Sequence, residues 1–202
     1  MRAYRENIAM KRQIRRGVFE TNSSSTHAIC IAKGDYNLSK HIDFTIGEFG
    51  WENNEYDDLY SKASYLITAI LSFDKDQADD YLRKLKDILE NNNIEYNLPK
   101  LKEASWEYDG KIRSYYDFDG YGYIDHSDET EDFVDDVLHD SDKLFRYLFG
   151  DSKIITGNDN SNEFDDRMYV NEGEEKTRWG TYTTYGDLKP EFDNYEIYMK
   201  GN

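Results

Sequence analysis

Five consecutive apolar residues, Ala28-Ile29-Cys30-Ile31-Ala32, do most to limit what this chain can become. The run is too short for an ordinary helix and lacks the alternation of a half-exposed strand, so it reads as a buried strand. Gly34-Asp35 breaks it. The residues ahead of it have the opposite character. Glu20-Thr21-Asn22-Ser23-Ser24-Ser25-Thr26-His27 packs a carboxylate, an amide, five hydroxyls and an imidazole into eight residues, and Arg15-Arg16-Gly17-Val18-Phe19 leads into it. The order predicts a strand over 12–19, a polar loop, and a buried strand over 27–33, with the loop displayed at the end of a sheet.

A buried strand needs layers to cover it, and the rest of the chain supplies them. After mixed sequence with a short strand expected around 41–45, the period changes at Asp57-Asp58. Leu59, Tyr60, Ala63, Leu66, Ile67, Ile70 and Leu71 recur at three and four, a helical stripe. A second stripe over 75–91 carries Ala78, Tyr81, Leu82, Leu85, Ile88 and Leu89 and stops at Asn91-Asn92-Asn93. The short link Ser72-Phe73-Asp74 makes the pair a helical hairpin over about 57–91. A further helix is expected over about 128–149, capped by Ser127 or Asp128 with Glu131 at capping-box distance, with a break near Asp140-Ser141 and an end at Gly150. Short strands are expected at 94–97, 153–156 and 195–199, with one or two exposed antiparallel strands in the Tyr-rich stretch 105–124. Residues 157–166 read as a polar loop. The fold class is therefore α+β, a mostly antiparallel sheet covered by the helical hairpin and the further helix.

The 202 residues suffice for one sizeable core. Residues 10–202 are expected to form a single domain and residues 1–9 a flexible basic extension. Acidic residues number 42 against 25 basic, a net charge of −17. The imbalance is uneven. Arg2, Arg5, Lys11, Arg12, Arg15 and Arg16 against Glu6 leave +5 on the first sixteen residues and −22 on the rest. Such a body is repelled by free DNA, free RNA and anionic membrane, and attracts basic proteins. No stretch approaches the roughly 18 apolar residues of a membrane span. The basic N-terminus lacks a signal peptide's apolar region. Cys30 allows no internal disulfide and belongs to the buried run, which suits a reducing cytoplasm.

The polar run is the leading candidate for chemistry. Cleaving a phosphodiester without metal takes a base, an acid and donors for the phosphorane charge. Glu20 and His27, with Arg15 or Arg16, offer that set, and Asn22, Ser23, Ser24 and Ser25 could hold phosphate oxygens. His126, in Asp125-His126-Ser127, would complete an acid–base pair if the fold brings it beside His27, with Asp125 orienting an imidazole. The plainer alternative is a structural turn, since runs of Asn, Ser and Thr commonly serve as turns and caps. A metal site drawn from His27, Asp125, His126, His139 and Asp140 lacks ligand spacing, so no metal or cofactor is expected. An ADP-ribosyltransferase arrangement has the wrong order and spacing. The acidic, Tyr-rich middle is open to two readings, mimicry of a phosphate backbone or a solvated acidic face.

The segment Arg15–Ile29, RRGVFETNSSSTHAI, resembles the N-terminal signature of a group of small proteins carried by phages and mobile elements of Gram-positive bacteria. Gly122-Tyr123-Ile124-Asp125-His126 resembles a second shared element. Within that group the chain is similar to type II-A anti-CRISPR proteins that disable Cas9 by truncating its guide RNA. The resemblance covers under a tenth of the chain. It implies a bacterial host cytoplasm and, as partner, a Cas9-type effector with its guide RNA. Acidic body and RNA chemistry are compatible if the substrate is RNA held by a basic effector. On this reading Glu20 and His27 are base and acid in unassigned order, and Arg16 stabilises the phosphorane. Arg15, Asn22, Ser23 and Ser24 position phosphate, and His126 with Asp125 is a second acid–base candidate. The competing expectation is a non-catalytic acidic mimic that blocks the nucleic-acid channel of a basic effector. A third is a host-directed phage protein in which the loop is only structural.

Overall fold

The computed structural model describes residues 25–50, 52–108, 110–117, 122–125, 127–158, 161–178 and 180–200. The expected strand over 12–19, the extension over 1–9, and Arg15, Arg16, Glu20, Asn22, Ser23, Ser24 and His126 lie outside the described residues. In chain order the elements are β1 (Ser25–Ala32), β2 (His41–Asp43), β3 (Glu48–Phe49), β4 (Glu55–Tyr56), α1 (Leu59–Leu71), α2 (Lys75–Asn91), β5 (Glu95–Asn97), β6 (Lys102–Tyr108), β7 (Lys111–Asp117), β8 (Tyr123–Ile124), α3 (Glu131–His139), α4 (Ser141–Phe149), β9 (Lys153–Asn158), α5 (Glu163–Met168), β10 (Tyr169–Thr177), β11 (Gly180–Leu188) and β12 (Tyr195–Lys200). The fold is α+β with a mostly antiparallel sheet.

The apolar run dictates the centre. β1 lies inside a four-stranded sheet of order β12-β1-β9-β4, antiparallel to both neighbours, and every one of its residues is buried. Alternation divides it between two cores. Ile29 and Ile31 face the main core, which α1 to α4 fill with Leu66, Ile70, Leu85, Phe133, Val137 and Leu148. Ala28 and Cys30 face a smaller cluster with Ile155, Phe164, Met168 and Phe192. The second cover comes close because β9 carries Gly157. A Cβ there would stand 2.7 Å from that of Phe164. Both faces being covered, the strand has no use for alternation, and each fully buried isoleucine contributes roughly 1.5–3 kcal/mol.

The helical hairpin forms where its stripes predict. Asp58 caps α1 by accepting from the Ser61 N–H at 2.9 Å. α2 ends at Asn91, and Asn93 takes φ +55°, a left-handed conformation that asparagine tolerates. α1 departs from a simple stripe, because Lys62 through Leu71 are all buried. It packs against α2, α3 and α4 at once. Lys62 is accommodated by donating from Nζ to the Gly150 carbonyl at 2.8 Å.

The helix expected over 128–149 is two helices. Asp140 adopts an extended conformation that ends α3, and its carboxylate accepts from the Asp142 and Lys143 N–H groups to start α4. α3 begins at Glu131 with Thr130 as its cap, after a 3-10 turn at Ser127–Thr130, so Glu131 does not take the third helical position that a capping box requires. Regular structure extends beyond the elements expected from the sequence. α5 occupies part of the polar loop, and β10 pairs with β11 in a hairpin. Register shifts on either side of Asn171 disrupt the alternation that would have revealed that hairpin. Two of the pairings, β2 with β5 and β3 with β8, are parallel.

Candidate functional site

The polar run does not end in a loop displayed beyond the sheet. Its last three members, Ser25, Thr26 and His27, are buried residues of β1. Ser25 and His27 continue the face that carries Ile29 and Ile31, so one side of a single strand changes from apolar to polar. Pairing brings further polar groups to that end. His27 stands opposite Thr156 of β9 and Lys200 of β12, and Ser25 opposite Asn158. α1 contributes Tyr65, and the segment after β3 contributes the carbonyl of Gly50.

His27 is held at both ring nitrogens. Nε2 lies 3.1 Å from the Gly50 carbonyl oxygen, which can only accept, so Nε2 carries the hydrogen. Nδ1 then accepts from the Tyr65 hydroxyl at 3.0 Å, with the two rings edge-on. Burial, aided by the Lys200 charge, lowers the imidazole from its ordinary 6.5 to about 3. The Gly50 hydrogen bond and the Asp125 carboxylate pull the other way without reversing this. The ring is thus neutral at physiological pH. Tyr65 is pushed up by burial and stays a hydroxyl donor.

Lys200 is wholly buried beside this ring. Its ammonium donates to the Ser25 carbonyl oxygen at 2.9 Å and to Ser25 Oγ at 2.6 Å. The N–H of the same residue donates to Asp125 Oδ2 at 3.1 Å. Ser25 is therefore gripped by a cation on one side and an anion on the other, and Asp125 comes into contact with the strand that ends the signature. Taking an ammonium out of water costs several kcal/mol unless it is paired and hydrogen-bonded, so such a group is a marker of a site with a specific demand.

These positions revise the reading of His27. With both nitrogens engaged and a pKa near 3, it is not the imidazolium that could protonate a leaving group at neutral pH, and it offers no lone pair to a substrate. It ties β1 to α1 and to Gly50. Asp125 acts on the backbone of Ser25. Lys200 and Tyr65 escape a reading of the sequence. A lysine closing an apolar strand normally marks emergence into water, and Tyr65 lies off the predicted stripe of α1. Elsewhere, His139 at the end of α3 lies 2.7 Å from the Asp135 carbonyl oxygen through Nδ1, and exposed His41 pairs with Asp43 at 3.0 Å. Among the described residues no three His, Cys, Asp or Glu side chains converge as a metal ion would require. No helix is long and apolar enough to cross a membrane among the described residues.

What the arrangement offers chemically is an anchor at Ser25, held between the charged groups of Lys200 and Asp125. No protein-family model matches the chain, and no curated protein and no solved structure is similar to it at a significant level.

Proposed function

We propose that the chain is an anti-defence protein that acts on a Cas9-type effector and shortens the guide RNA held by it, as a metal-independent ribonuclease. The observation that carries this reading is the anchor at Ser25. A reactive segment must be held to a fraction of an ångström by buried supports, and the Lys200–Ser25–Asp125 contacts supply such a support at the residue that follows Ser24 in the sequence. The buried state of His27 shifts the acid–base work to Glu20 and His126. Arg16 stabilises the phosphorane, and Arg15, Asn22, Ser23 and Ser24 hold phosphate oxygens. The −22 body docks on the basic effector and brings the +5 segment to RNA that the chain would otherwise approach slowly. The test is a denaturing gel of guide RNA after incubation with the guide–effector complex, with and without chelator. Shortening is expected in both arms, lost in Glu20→Gln and Arg16→Ala, and much slower on naked guide RNA. Intact RNA in every arm, or equal cutting of naked RNA, would sink the reading.

One observation favours a second reading, a non-catalytic acidic mimic. His27 is closed off and neutral, whereas Glu172, Glu174, Glu175 and Asp187 stand exposed along the β10–β11 hairpin. Inhibition by Glu20→Gln equal to that by the parent chain, with the guide RNA left whole, supports it.

A further inference from the structure

We propose that one face of the β6–β7 ribbon is a binding surface for single-stranded nucleic acid, on which bases stack against Trp106 and Tyr115 while cationic side chains hold the backbone. The register establishes the face. Directly opposed residues of an antiparallel pair project to the same side. The pairs Lys102–Asp117, Ala104–Tyr115 and Trp106–Arg113 share one side, and Glu103–Tyr116, Ser105–Ser114 and Glu107–Ile112 share the other. Lys111, two residues before Arg113, joins the first. Three cations and two aromatic rings thus lie on one side, and both glutamates of the ribbon on the other.

The glutamate side is the one seated on α2. Tyr116 is buried there and its hydroxyl bonds Asp79, Lys75 reaches Glu103 at 3.4 Å, and the Lys75 ammonium lies 5.5 Å from the centre of the Tyr116 ring. The first side consequently points away from the body of the helix, with Trp106 48% and Tyr115 36% exposed, while Arg113 reaches round to Asp74 at the N-terminal cap of α2. Among the described residues, carboxylates lie against two of its cations, Asp117 on Lys102 and Asp74 on Arg113, both at 3.4 Å. Exposed pairs of that kind are worth about 0–1 kcal/mol and give way to a phosphate.

Two features select the ligand. The sign of charge on this face is reversed from that of a −17 chain, which calls for an anion. The exposed parts of the rings suit flat apolar groups, which every unit of a polynucleotide carries. Trp106 and Tyr115 are diagonal neighbours, about 7–8 Å apart in such a ribbon, room for a base on each. Aromatic side chains standing on a sheet are a general platform for unpaired bases. The ribbon rests on α2, apart from the sheet that holds Ser25, so this inference does not depend on the cleavage reading.

The test uses the full chain carrying Glu20→Gln, so that any cleavage is removed, and a labelled oligouridylate of about ten nucleotides followed by fluorescence anisotropy at low salt. Saturable binding is expected, weakened about ten-fold by Trp106→Ala and similarly by Tyr115→Ala. Trp106→Phe, which keeps a ring, restores most of it. Lys111→Glu with Arg113→Glu abolishes it, and the logarithmic salt slope of the parent is about −2, as three cations on a single strand require. Oligothymidylate in place of oligouridylate separates RNA from DNA within the same class of ligand, and binding of either supports the surface. Each variant must keep the parent's circular dichroism and melting transition, which the exposure of these side chains favours. No binding of either oligonucleotide, or unchanged binding by Trp106→Ala and Tyr115→Ala, overturns the proposal. Equal competition by polyglutamate overturns it too, and marks the face as a site for an acidic protein.

Discussion

β1 and β6 are antiparallel strands of eight and seven residues, and they differ in almost everything else. Every residue of β1 is buried, three polar ones included, whereas none of Lys102–Glu107 in β6 is. The difference is one of layers. β1 has a strand on each edge and a core on each face, so Ser25, Thr26 and His27 are enclosed because Ala28–Ala32 must be. β6 has one partner strand and one helix beneath, so Trp106 remains exposed despite being the larger apolar residue. Enclosure then imposes its own demand. Each buried polar group of β1 needs a partner, which is what Tyr65, Gly50, Asp125 and Lys200 provide for Ser25 and His27, while the polar groups of β6 can use water.

The comparison can be broken most directly by truncating one isoleucine from each region. Ile29→Ala should lower stability by about 2–5 kcal/mol in urea unfolding, by lost burial and the cavity left behind. A loss under about 1 kcal/mol would mean that the double cover of β1 is looser than its burial indicates.

His27 offers the next largest effect. In the unfolded chain the imidazole takes up a proton near its ordinary 6.5, while in the folded chain it stays neutral down to about 3. Stability from this group is complete above the unfolded value and falls as pH drops from 6.5 toward 3, because the unfolded state then binds the extra proton. Between pH 7 and 5 the parent chain should lose about 2 kcal/mol more than His27→Gln. Parallel pH profiles for the two would show a ring that protonates in place.

Asp140→Ala bears on the covering layer rather than on either strand. It removes the acceptor for two N–H groups at the start of α4 and should cost about 1 kcal/mol. A melting temperature equal to that of the parent would show that packing alone sets the break between α3 and α4. The smallest change is expected from Ile112→Ala, whose side chain is 74% exposed at the tip of the ribbon. It should stay within about 0.5 kcal/mol of the parent, and a larger loss would show the ribbon's tip to be packed against something.

Much of the fold is legible locally. The hairpin over 57–91 follows from two stripes with nearby caps. The break at Asp140 follows from an acid that both ends one helix and caps the next. The five apolar residues of β1 already demand a strand covered twice. These features rest on residues within a turn or a strand length of one another, where periodicity and capping act. α5, with six residues, is too short to show a period, and the bulges of β10 destroy the one that its hairpin would display.

The candidate site was legible only as a concentration of functional groups. That Ser25 and His27 belong together follows from their spacing on one strand. That Ser25 is gripped by Lys200, 175 positions away, and that His27 is locked by Tyr65, 38 positions away, depends on which strands pair and which helix covers them. By itself the sequence determined that a dense polar run leads into an apolar strand. Only the tertiary structure decided that the last part of that run is enclosed, and hence that an imidazole placed to exchange protons stays neutral, because protonation answers to burial and neighbouring charge rather than to residue type.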